Sequence, residues 1–131
     1  MRRLLLTEQR GQSLVELALA LPFCLWTLLG IVDLGRVYYS YAGATNAARE
    51  GARYWAATPT ATTADVRTRV RAEAAPQLAI PEAGITLSSP ASDQRQVQVQ
   101  LQFTTLTPMI SALWGGGPLS VTTRAVMPTL F

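Results

Sequence analysis

The chain has no histidine, no lysine and a single cysteine, Cys24. One cysteine excludes an intrachain disulfide and any multi-cysteine metal site. Without histidine the usual zinc ligand sets cannot be assembled. Ser13, Ser40 and Ser111 have no imidazole to activate them, which removes the Ser-His-Asp triad. Gly115–Gly117 are not followed by the Lys-Ser/Thr and helix of a phosphate loop. Cys24 itself lies in an apolar run and reads as a small apolar helix residue. A lipoprotein signal needs a small residue just before its cysteine, and Phe23 stands there instead. These gaps lead to a protein that is not an enzyme, with no metal, no cofactor and no small-molecule substrate.

Charge of one sign is also unevenly supplied. All eleven basic residues are Arg, against eight acids, for a net charge of +3. Arg2, Arg3 and Arg10 precede the apolar run, with Glu8 the one acid among them. Beyond residue 11, eight Arg face seven acids, scattered without a basic stripe. A nucleic-acid surface needs such a patch on the folded part, so none is expected.

What the chain does have is a long apolar segment. Residues 12–32, QSLVELALALPFCLWTLLGIV, contain one charge, Glu16. About 20 apolar residues in a helix cross a bilayer core. The run exceeds the apolar region of an ordinary signal peptide. Ala42-Gly43-Ala44 has the small-x-small form of a secretory cleavage site, but the run ends too far upstream of it. The Arg-bearing N-terminal flank should stay cytoplasmic and the remainder should face outward. Pro22 removes one hydrogen bond mid-segment and should kink the helix. Trp26 is too deep for an interfacial anchor, whereas Tyr38, Tyr39 and Tyr41 suit an outer interface or a filament contact.

Past the membrane the helical pattern continues. Leu34, Val37, Tyr41, Ala44, Ala48, Gly51 and Trp55 recur at spacings of three and four, a seam for helix packing or a partner. The small residues allow close approach of another helix or a sheet. Ala48 to Trp55 should face the chain's own domain, and Leu34 to Tyr41 should face other subunits. A helix over residues 12–57 would be about 69 Å long. Thr58-Pro59 breaks it. A second helix should start at Thr63-Ala64-Asp65, carry Val66, Val70 and Ala74, and stop at Pro76.

The period then changes to two. Ile85-Thr86-Leu87 is one candidate strand. Val97, Val99, Leu101 and Phe103 alternate with Gln96, Gln98, Gln100 and Gln102 in a second, half-buried strand. Ser92-Asp93-Gln94 reads as the hairpin loop between them. Residues 105–114, with Pro108 and Trp114, suit a short helical turn, and Leu119 to Met127 a last strand. The expected fold is α+β: a long helix, a short helix and about three antiparallel strands. The Gln row reads as a polar solvent face. Asp65 and Asp93 read as loop acids without an identified partner, and Arg49 and Glu50 as a solvated charge pair.

Arg10-Gly11-Gln12-Ser13-Leu14-Val15-Glu16 is the most informative stretch. A basic leader ends in Gly, and an acid follows five residues later inside the apolar run. A carboxylate costs about 2.5–3.5 kcal/mol at the centre of a membrane helix and less near its end, so an acid there asks for a function. The stretch resembles the type IV prepilin class. That resemblance implies cleavage between Gly11 and Gln12 by a membrane prepilin peptidase. It also implies pairing of Glu16 with the free N-terminus of a neighbouring subunit. The new α-amino group is charged near neutral pH, and a carboxylate from an adjacent helix neutralises it. Gly at such a cut offers a protease an open, extended backbone.

A second resemblance covers roughly residues 10–57. The pieces are GQSLVE at 11–16, Leu21-Pro22, the exit Gly30-Ile31-Val32-Asp33-Leu34-Gly35-Arg36, and TNAAREGARY at 45–54. They are similar to the TadE-like family, minor pseudopilins of tight-adherence (Flp-type) pilus systems. The resemblance implies a single-pass protein of the cytoplasmic membrane that assembles or primes a pilus. Its partners would be the bilayer, the prepilin peptidase, other pilins or pseudopilins and the assembly platform. The expected organisation is a cytoplasmic leader at 1–11, a transmembrane helix at 12–33, its exported continuation at 34–57, and a small extracytoplasmic domain at 58–131. The competing reading is an uncleaved signal anchor carrying a binding or adhesion module.

Overall fold

The computed structural model describes residues 4–74, 78, 80–113 and 115–129, with the main chain alone at 4–10, 108, 109 and 113. Arg2 and Arg3, the helix stop at Pro76, and Trp114 lie outside the described residues, as does the side chain of Arg10.

The first helix, α1, runs without interruption over Leu4–Ala57, about 81 Å at 1.5 Å per residue. It passes through Pro22, where one main-chain hydrogen bond is necessarily missing. One turn on, the Thr27 hydroxyl donates to the Phe23 carbonyl at 2.9 Å. The helix starts earlier than the apolar run. Gly11 is therefore helical, where an extended backbone was expected.

The second helix, α2 (Thr63–Glu73), begins with a capping box. The Thr62 hydroxyl accepts from the Asp65 N–H at 3.2 Å, and the Asp65 carboxylate accepts from the Thr62 N–H at 2.9 Å. Asp65 is thus a cap and not a partnerless loop acid. The Thr62 hydroxyl also donates to that carboxylate at 2.6 Å, and this bond, then the one from the Thr62 N–H, holds the carboxyl below the ordinary value. The helix closes at Ala74, whose N–H donates to the Val70 carbonyl.

After a single 3-10 turn at Glu82–Gly84 come β1 (Ile85–Ser88) and β2 (Gln94–Phe103). A short helix, α3 (Pro108–Leu113), precedes β3 (Leu119–Pro128). The strands form an antiparallel sheet in the order β1-β2-β3. Ile85 pairs with Val99, Gln94 with Pro128 and Phe103 with Leu119. Gln94, expected in the hairpin loop, already belongs to β2. The α+β class is borne out: a long helix, a short helix and three antiparallel strands.

The alternation in β2 decides the layering. Val97, Val99, Leu101 and Phe103 are buried, while Gln100 and Gln102 on the opposite face are exposed. Val97, Val99 and Leu101 meet Ala44, Ala47, Ala48 and Ala52 of α1 in one core cluster, joined by Val66 and Val70 of α2. Alanines bring the helix backbone close to the sheet. Gly51 brings it closer still, because a Cβ there would overlap Val70. Among the described residues no layer covers the other sheet face, and Thr86, Ser120, Thr122 and Arg124 are exposed there beside the Gln row.

Candidate assembly site along the first helix

Along residues 11–29 every α1 side chain is exposed. Leu14, Val15, Leu17, Leu19, Leu21, Phe23, Leu25, Trp26 and Leu28 are large apolar examples. A helix that is apolar all round belongs in a protein core or in lipid. This one meets no core of its own, and it is long and apolar enough to cross a membrane.

Gly11 and Gln12 sit one turn below Glu16. The Gln12 side-chain amide donates to the Glu16 carboxylate at 3.2 Å, the i to i+4 contact of a helix. The carboxylate therefore reaches back to the residue that would become the new N-terminus. Glu16 has the whole apolar surface around it and an exposed position.

The far end of the apolar run is more elaborate. Asp33 follows the apolar run and is only 2% exposed. Its carboxylate accepts the Leu106 N–H at 3.0 Å, the Thr107 N–H at 2.8 Å and the Thr107 hydroxyl at 2.7 Å. Arg36 donates to the same carboxylate at 3.1 Å. The Arg36 guanidinium also lies 4.9 Å from the Phe103 ring centroid, a cation–π distance. One carboxylate thus ties the helix exit to the β2–β3 connection. Next to it, Val32, Gly35, Arg36 and Tyr39 face Leu101, Phe103 and Val121 across a groove of about 610 Å³.

The seam residues divide between two surroundings. Ala44, Ala48 and Gly51 are buried against α2 and the sheet. Val37 is half-buried, and Leu34 and Tyr41 are exposed. With Tyr38 they form an uncovered stripe, Leu34 70% and Tyr38 73% exposed, continuing Ile31 from the span. The upper seam is therefore open and the lower seam is the chain's own core. Among the described residues no group of three or more His, Cys, Asp or Glu is placed to hold a metal ion.

Glu50 is a clamp, not a solvated half of a pair with Arg49. Arg53 donates to it at 2.8 and 2.9 Å from the same helix, and Arg69 of α2 at 2.9 and 3.3 Å. The Arg69 and then the Arg53 hydrogen bonds hold its carboxyl below the ordinary value. Arg49 is exposed. Farther up, the Thr45 and Thr123 hydroxyls meet at 2.9 Å, fastening α1 to β3.

Sequence reading missed Asp33 as a ligand of the outer domain. It placed Asp33 in the exit stretch Gly30 to Arg36 without naming a partner for it, and Thr107 is 74 residues away. An acid directly after the apolar run was the available signal.

The family model described as TadE-like protein matches residues 11–53. The match starts at Gly11 and ends within the clamp at Arg53, covering the exposed helix, its exit and the start of the buried seam. No curated protein and no solved structure matches the chain.

Proposed function

We propose, taking the TadE-like segment at residues 11–53 as the premise, that this chain is a non-catalytic minor pseudopilin of a tight-adherence (Flp-type) pilus. Residues 1–11 are the cytoplasmic leader, and a prepilin peptidase cuts between Gly11 and Gln12. The mature helix anchors the subunit in the cytoplasmic membrane with its outer part exported. Glu16 then pairs with the amino terminus of a neighbouring pilin, and the open Leu34, Tyr38 and Tyr41 stripe packs against other subunits or the assembly platform. The single observation behind this reading is that the family match begins at the residue that precedes the proposed cut. The uncovered apolar helix above it supports the same reading.

Coexpression with a prepilin peptidase and sequencing of the product's N-terminus tests the proposal. We expect a species starting at Gln12, abolished by Gly11→Arg. Retention of Met1 with no such species would sink the pilin reading.

One observation favours the alternative, an uncleaved signal anchor bearing a binding module. Gly11 lies inside a continuous helix, and a peptidase needs extended backbone, so cleavage requires local unwinding. Glycine eases that step, since it destabilises a helix interior by roughly 0.5–1 kcal/mol relative to Ala.

A further inference from the structure

The β2–β3 connection meets α1 at levels that can be read off the helix like a ruler. Phe103 lies against Arg36. Leu106 and Thr107 are bound to Asp33. Ile110 of α3 lies against Gly30, its Cδ1 3.7 Å from where a Cβ on that glycine would stand. At 1.5 Å per residue, Ile110 is about 4.5 Å closer to the bilayer centre than Asp33. The apolar run of residues 12–32 is about 31 Å long as helix, the thickness of a hydrocarbon core. Gly30 is two residues inside that run, so α3 sits at the depth where acyl chains begin.

The segment has the chemistry for that depth. No charged residue occurs between Arg95 and Arg124. Leu106 is 58% exposed, and Leu29, Ile31 and Val32 at the same end of the apolar run are exposed as well. Backbone that enters lipid must have its polar groups satisfied within the protein. Here the Leu106 and Thr107 N–H groups are taken by Asp33. The Ser111 N–H donates to Thr107, Gly115 to Ala112 and Gly116 to Ser111. Arg36, half-exposed just above, stands where lipid phosphates lie.

We propose that the connection from Leu106 through α3 is a second membrane contact, embedded in the interface of the same leaflet through which α1 leaves the bilayer. Its partner is phospholipid. The outer domain then rests on the membrane surface instead of standing clear of it. This goes beyond the pilus assignment and depends only on α1 crossing the bilayer.

The test uses the full chain in phosphatidylcholine–phosphatidylglycerol vesicles at less than one copy per vesicle. An environment-sensitive fluorophore is attached at Leu106→Cys in a Cys24→Ser background. Matching samples carry it at Thr122→Cys, on the uncovered sheet face, and at native Cys24. Both new positions are exposed, so the core is untouched. We expect the Leu106 label to lose most of its emission to shallow spin-labelled lipid and to resist aqueous iodide, with the reverse at Thr122. A Leu106 label that behaves like Thr122, while Cys24 is quenched by lipid spin-labelled deep in its acyl chain, overturns the proposal and leaves the anchor intact. Shielding from iodide without lipid quenching means protein covers the site, and overturns it too. Lipid quenching absent even at Cys24 removes the span and this proposal together.

Discussion

Asp33 and Glu16 are two acids on one helix with opposite surroundings. Asp33 is buried and surrounded by donors from the outer domain. Glu16 is exposed, with Gln12 as its contact. In Asp33→Ala the Leu106 and Thr107 N–H groups lose their acceptor. Each lost hydrogen bond is worth roughly five- to ten-fold in a local opening equilibrium, so amide exchange at these two positions should accelerate by at least that factor in detergent or vesicles. Asp33→Asn, which keeps one carbonyl acceptor, should fall between. Unchanged exchange in the Ala variant would mean the connection is held by other contacts. Glu16→Ala should leave cleavage after Gly11 intact while sharply reducing incorporation into filaments or assembly complexes, measured by fractionation against processed subunit. Normal incorporation would count against pairing with a neighbour's amino terminus.

At the scale of elements, α1 does two jobs, and its halves differ in how legible they are. The seam at Ala44, Ala48 and Gly51 was readable, because small residues at three-and-four spacing imply close packing whatever the partner is. The β2 strand was readable from its Val/Gln alternation for the same reason: one face must be buried. Contacts between distant segments were not. Asp33 reaches Thr107 across 74 residues, and Glu50 reaches Arg69 across 19. Neither distance leaves a periodic trace. The α2 start was legible, for the helix opens at Thr63 as expected; its cap was not named, although Thr62 followed three residues later by Asp65 has the capping-box spacing. The open stripe at Leu34, Tyr38 and Tyr41 lay where an inter-subunit surface was expected, and Ala48 and Gly51 are buried where the seam was expected to face the chain's own domain.

The Glu50 clamp carries the pH dependence of the α1–α2 contact. Its carboxyl titrates lower in the folded protein than the ordinary 4.5. A group with a depressed folded value contributes fully above its unfolded value, and that contribution is lost as pH falls through the folded value. Urea midpoints of the outer domain should therefore drop as pH is lowered from about 6 to about 3. Glu50→Gln should be less stable near neutral pH and show a shallower drop. Equal slopes for the two proteins would mean that Arg53 and Arg69 add nothing to the fold.

At the scale of the molecule, a small domain is built onto the side of a helix about 81 Å long, and helix and domain share one core. Ala44, Ala47, Ala48 and Ala52 supply its helix side, and the larger buried side chains Val66, Val70, Ile85, Val97 and Val99 come from the rest of the domain.

The domain is fastened to α1 at two heights, the β2–β3 connection through Asp33 with Thr107 and the sheet through Thr45 with Thr123. These points are 12 residues apart, about 18 Å along the axis. A domain held at one point can swivel about its support, but one held at two such heights along a rod cannot. The compass bearing of the glutamine-lined face is therefore set by the azimuth of the helix. Whatever grips the apolar half of α1 and turns it, a neighbouring helix included, also aims that face.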